Sequence, residues 1–316
     1  LMVNFIKRIP IPIAGLALAL LALANLVTFL NPVILAAFRI ISAILLVLLT
    51  LKVIIAPKFV AEDFKNPVIL SVAPTYSMAF MLLGAYVKTL GQDTLAVTIW
   101  ALGIIIHMVF IVMYTLRFIV KFDIKKIFPS IFIVYVGIGT AGITAPAFKM
   151  ASIGQTSFWF AFISLLILLP VVTYRLMKIK GIPEPASPTF AILAAPASLV
   201  LAAYMKSFSD KNVYMVGFLT VLSIVLYGVV IVAMIKLLAL KFYPSFSSFT
   251  FPMVISGIAT GGAFTFLSKA GYNFNFLKYI LTAQQIIASV IVLYVLVRYV
   301  MFLFKAPQKS EKVIAK

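Results

Sequence analysis

Long apolar runs alternate with short polar breaks from one end of this chain to the other. Ten runs reach helix length, at about 10–30, 33–55, 67–89, 92–119, 129–150, 153–175, 188–207, 211–240, 245–268 and 276–304. A helix needs about 20 apolar residues to cross the hydrocarbon core of a bilayer, so each run predicts a transmembrane helix. The runs come in pairs. Pro10, Pro67, Pro129, Pro188 and Pro244 open every second one, with gaps of 57, 62, 59 and 56 residues. A fixed period means one unit built repeatedly. Here the unit is a two-helix hairpin that occurs five times. The pattern predicts an all-α integral membrane protein whose ten transmembrane helices form five helical hairpins in a quasi-fivefold ring around a central path.

Odd and even runs differ in texture. The odd ones carry prolines and small residues, and in three of them a second proline follows the first after seven or eight positions, at Pro74, Pro196 and Pro252. The even ones are plain Leu/Ile/Val helices. An internal proline removes a backbone hydrogen bond and kinks the helix. Broken backbone is tolerated in a membrane only where protein buries it or water reaches it. The odd helices are therefore expected inside and the even helices outside, facing lipid. Gly15, Pro74, Ser77, Gly84, Gly137, Gly139, Pro196, Ser198, Pro252 and Ser256 are the candidate kink and pore-lining positions.

Composition supports this and closes off a soluble fold. The chain of 316 residues is 64% hydrophobic and 10% charged, with mean hydropathy +1.20. A soluble domain is nearer 45–50% apolar and about 25% charged. The net charge of +19 lies in the short loops, not in a nucleic-acid-binding patch. Lys7, Lys52, Lys58, Lys65, Arg117, Lys121, Arg175, Lys178 and Lys241 fall on one side of the predicted crossings. The positive-inside rule makes that side, and both termini, cytoplasmic in a multi-pass cell-membrane protein. Lys7 and Arg8 before an apolar run, with Ala22-Leu23-Ala24, resemble a signal peptide. The Pro-opened, Ala-rich texture matches the other odd helices, so retention is expected. One transmembrane channel domain is expected over 1–305, then a short basic cytoplasmic tail, 306–316.

The chemistry that is missing narrows the function. There is no cysteine, and the seven acidic residues fall in loops or the tail. Paired carboxylates for acid–base catalysis, metal ligand sets and a midplane carboxylate for ion-coupled transport are all lacking. No enzyme, cofactor or metal is expected. His107, the only histidine, sits mid-helix and is expected to be a hydrogen-bonded packing residue, with a functional role as the alternative. A conduit without fixed charge, basic at its cytoplasmic mouth, suits anions. With no charged site to hold them, large, weakly hydrated monovalent anions are favoured.

Phe-Thr-Phe251-Pro-Met253 opening the ninth helix, Pro74-Thr-Tyr-Ser-Met78 followed by Gly84, Ala195-Pro196-x-Ser198-Leu199 followed by Tyr204, and Pro10-Ile-Pro12-Ile-Ala-Gly15 resemble the tellurite-resistance/dicarboxylate transporter family, over nearly the whole chain. That family includes bacterial TehA, the plant guard-cell slow anion channels and the fungal malate permeases. The resemblance implies a homotrimer with one pore per protomer, plugged by a phenylalanine that matches Phe251; Phe249 falls outside the match. It implies an anion channel for chloride- or nitrate-type ions. The alternative within the same family is a carrier for malate or another C4-dicarboxylate, or a tellurite-resistance transporter. Partners are then small inorganic anions or small carboxylates, the lipid bilayer and two further copies of the chain. The sequence departs from the family pattern in two places. Pro146 falls far later in its helix than its counterparts, and the long regulatory tails of the plant channels are not seen, so phosphorylation control is not expected.

Overall fold

A computed structural model describes residues 2–179 and 181–304, and among these the ordered elements are all helical. The expected tail, 306–316, lies outside the described residues.

The even runs form long helices: α3 (Pro32–Ile55), α7 (Asp93–Tyr114, extended by a π turn over Thr115–Ile119), α10 (Ala151–Lys178), α12 (Val213–Leu237) and α14 (Phe276–Phe304). Asn side chains start two of them. Asn31 Oδ1 accepts from the Val33 N–H, and Asn212 Oδ1 accepts from Tyr214 and Met215. Both satisfy N–H groups that a helix start leaves without partners. The most apolar stretch of each long helix is only 28% to 33% buried. Apolar surface left uncovered over such lengths requires lipid as its solvent.

The odd runs are buried and broken. In α2 (Ile13–Leu26) every residue except Asn25 is buried. The third run divides into α5 (Pro67–Val72) and α6 (Thr75–Thr89). The seventh is a 3-10 segment, Glu184–Ala194, followed by α11 (Ala195–Ser207), and the ninth a 3-10 segment, Pro244–Phe249, followed by α13 (Thr250–Lys269). In these three, 67%, 89% and 67% of the apolar core is buried. At the second prolines the backbone stays in the helical region while its hydrogen-bond pattern changes. Pro74 is the N-cap residue of α6, and Pro196 and Pro252 fall in the first turns of α11 and α13. There the missing N–H would have lacked a partner anyway. The fifth run breaks at the same depth without a proline: α8 (Ile131–Tyr135) stops, a turn around Gly137 follows, and α9 (Gly139–Thr144) resumes. Pro146 lies in a later 3-10 turn, Ala145–Phe148.

Two short helices complete the set, α1 (Met2–Arg8) and α4 (Pro57–Asp63). Eight segments among the described residues are long and apolar enough to cross a membrane; α2 is shorter, and the fifth run is divided into pieces too short to qualify singly. Contacts among the buried runs follow a closed order: α2 packs on α6, α6 on α9, α9 on α11, α11 on α13, and α13 on α2. Each also packs on the long helix that follows it in sequence.

Candidate functional site: an apolar cavity walled by five broken arms

The five buried arms begin around one vestibule of about 680 Å³. Pro10 and Pro12, Pro67, Phe128, Pro185 and Pro244 all stand in its wall, beside Lys7, Arg8, Lys52 and Asp63. Lys52, in the last turn of α3, is only 4% exposed. Its Nζ donates to the Ile9 carbonyl at 2.7 Å and meets Asp63 Oδ2 at 3.1 Å. A buried ammonium survives only with such compensation. At the rim, Lys241 is held above the ordinary lysine value by hydrogen bonding with Tyr243, with Glu184 adding to it, so it stays cationic through neutral pH.

About one helical turn deeper the same arms enclose a cavity of about 30 Å³. That is room for roughly two water-sized spheres. Every buried arm contributes: Gly15 from α2, Thr75 and Met78 from α6, Gly137 from the turn between α8 and α9, Pro196 and Leu199 from α11, and Phe251 and Pro252 from α13. No titratable side chain stands in the wall. Phe251 is 7% exposed. Phe249 is absent from the wall and packs on Phe246, ring centroids 4.9 Å apart.

Five of the residues singled out from sequence thus meet at one place: Phe251, Gly15, Gly137, Pro196 and Pro252. The other six lie outside this wall. Ser198 Oγ sits 2.7 Å from Ser223 Oγ and 3.1 Å from Ser256 Oγ, and Ser256 Oγ donates to the Pro252 carbonyl at 2.8 Å. This buried hydroxyl cluster ties α11, α12 and α13 together. Gly84 faces α7, where a Cβ would come within 2.8 Å of the Trp100 backbone nitrogen. Gly139 packs toward Ala161 and Leu199. Pro74 offers its carbonyl to Ser77 Oγ at 2.7 Å.

Ser77 also leads to a residue whose role the sequence left open. His107, fully buried on α7, places Nδ1 2.8 Å from Ser77 Oγ and Nε2 3.1 Å from the Val134 carbonyl. The break at Gly137 leaves that carbonyl without a backbone donor. A carbonyl only accepts, so in the neutral ring Nε2 carries the proton, and Nδ1 and the Pro74 carbonyl share the single Ser77 hydroxyl proton. His107 therefore fastens two broken arms from behind: a Cβ on Gly137 would lie 2.9 Å from both His107 Cε1 and Met78 Sδ.

Sequence reasoning passed over Thr75, Met78, Phe132, Ser247 and Ser248, all in the wall. For Ser247 and Ser248 a signal existed. They precede Phe251 by four and three positions, the spacing that shares a helix face.

A search of curated proteins finds no match to this chain. The model of the SLAC1 family, described as voltage-dependent anion channel, matches residues 9–300. That span takes in every buried arm, the vestibule prolines and Phe251, and the chain accordingly belongs to the SLAC1 family of voltage-dependent anion channels.

Proposed function

We propose that this protein is a passive channel for small monovalent anions of the chloride or nitrate type. In this reading ten crossings form five hairpins in a quasi-fivefold ring, odd arms inside, with both termini cytoplasmic. Each protomer of a homotrimer carries its own path, and Phe251 closes it. The observation that carries the reading is the cavity itself. All five buried arms wall it, a phenylalanine from the family motif fills its side, and no ionisable group lines it. Such a wall gives an anion nothing to bind tightly, which suits flow better than capture. The vestibule bases Lys7, Arg8 and Lys52 would concentrate anions at the mouth. At about 30 Å³ the cavity is too small for a hydrated ion, so the conformation described is closed.

The test is Phe251→Ala in liposomes or planar bilayers, with chloride, nitrate and malate. The variant should carry a large chloride and nitrate current where the parent is nearly silent, and a proton gradient should leave that current unchanged. An unaltered conductance in a well-folded variant counts decisively against the reading. Saturable, proton-sensitive malate uptake would favour the dicarboxylate carrier instead. The basic vestibule, with Lys7, Arg8 and Lys52 in its wall, is a feature that suits a carboxylate.

A further inference from the structure

We propose that a second basic pocket, at the far end of the buried arms from the vestibule, binds one small anion of two or three charges, a di- or tricarboxylate or phosphate. Held there, the ion obstructs the conduit. The obstruction rests on the channel reading; the binding does not.

The pocket has a volume of about 500 Å³ and lies where α2, α11 and α13 end. Its wall includes Asn25 of α2, Lys206 of α11, Lys211 of the following loop, Thr265 and Lys269 of α13, and Gln285 of α14. It thus holds three lysines and no acidic residue, and polar atoms are open to it. None of the three lysines forms an ion pair among the described residues. Lys206 and Lys269 are exposed. Lys211 Nζ donates to the Phe208 carbonyl at 2.7 Å and the Ser209 carbonyl at 3.3 Å, which anchors the ammonium and leaves its third N–H unused. Asp210, the acid nearest in sequence, is not in the wall. The vestibule differs, because Asp63 stands in its wall and pairs with Lys52.

The pocket continues the line of the gate candidate. Phe251, Ile258, Gly262, Thr265 and Lys269 follow one another at spacings of 7, 4, 3 and 4, which is one face of the continuous helix α13. Phe251 is in the wall of the small cavity, and the other four are in the wall of this pocket. The arms that pack on α13, α2 and α11, flank it here as they do at the cavity.

Coulomb attraction scales with the charge of the ion, so these lysines hold a two- or three-charged anion and only concentrate chloride. Ammonium groups donate to carboxylate and phosphate oxygens in charge-assisted hydrogen bonds. The room of about 500 Å³ admits such an ion, whereas the cavity of about 30 Å³ beside Phe251 does not. The ion therefore stops in the pocket and stands in the path of smaller ones.

Two experiments decide this, both with citrate as the probe. In calorimetry of the detergent-solubilised parent, citrate should bind. Lys206→Gln combined with Lys269→Gln should weaken binding about tenfold, and the corresponding Arg pair should retain it. Lys278→Gln, on an exposed lysine of α14 outside the wall, should leave affinity unchanged. Absent binding, or equal affinity in the Gln pair, overturns the site. So does a phospholipid that native mass spectrometry finds on the parent and not on the Gln pair when citrate binds neither, since the occupant is then a lipid phosphate. If the Gln pair is not monodisperse, the two single variants decide.

In whole-cell recordings of Phe251→Ala, citrate outside the cell should block the chloride current. The block should relax as salt rises and be lost in the Gln pair. A current that saturating citrate leaves unchanged overturns the obstruction. A silent Phe251→Ala variant counts against the channel reading, and calorimetry still judges the site.

Discussion

His107 illustrates how a single polar residue earns its place in lipid. It reaches from an outer helix to the Ser77 hydroxyl on one inner arm and to the Val134 carbonyl on another, and both groups sit at breaks in the backbone. With no water at that depth, an unpaired carbonyl is expensive. Replacing His107 by Leu should cost roughly 1 kcal/mol or more of stability, and Gln, which can still donate, should recover part of it. Thermal unfolding in detergent checks the order parent, Gln, Leu. The residue scale is also where sequence was weakest. The motif around Phe251 marked the gate candidate, and Gly15, Gly137, Pro196 and Pro252 were picked by their smallness or their kink. Yet the sequence placed Ser77, Ser198 and Ser256 on a par with them, although their hydroxyls bond to other arms or to their own backbone. It passed over Ser248, whose hydroxyl has no partner. Which way a hydroxyl points is set by neighbours far away in the chain, and no local pattern encodes it.

The elements follow more closely from the chain, with one change in mechanism. Pro74, Pro196 and Pro252 mark where the buried arms lose regularity, each in or beside the first turn of the regular helix that follows. A restart at the first turn forfeits no hydrogen bond, whereas a proline deep in a helix forfeits one and adds a clash. The fifth arm reaches the same result with Gly137, which leaves Pro146 outside the break. Glycine also sets how closely arms approach. Gly84 on α6 lies against the backbone of α7, with a Cβ position 2.8 Å from the Trp100 nitrogen and 2.9 Å from the Ala96 carbonyl. Backbone cannot step aside as a side chain can. Gly84→Ala should therefore push α6 from α7 and cost about 1–3 kcal/mol, read as a lower unfolding temperature of the detergent-solubilised protein. An unchanged unfolding temperature would mean that this interface is looser than its geometry implies.

At the scale of the whole molecule, buried arms contact one another in closed order while long apolar helices lie outside them. The trimer proposed for this family member makes a direct prediction. The particle extracted in mild detergent should have the protein mass of three 34.7 kDa chains by native mass spectrometry, and a monomer as the sole species would refute it. Hydropathy and run length by themselves determined that the chain is helical and lives in a membrane, and the proline period set the expectation of a repeated hairpin. They could do so because lipid leaves the backbone few choices and charges every polar residue for entering. Tertiary structure alone decided which side chains surround the cavity, that Lys52 is buried against Asp63, and that His107 joins two arms. Those outcomes depend on contacts between different elements, such as His107 with Ser77 and Val134, 30 and 27 positions away, and helical periodicity within one element does not say which neighbour a residue meets.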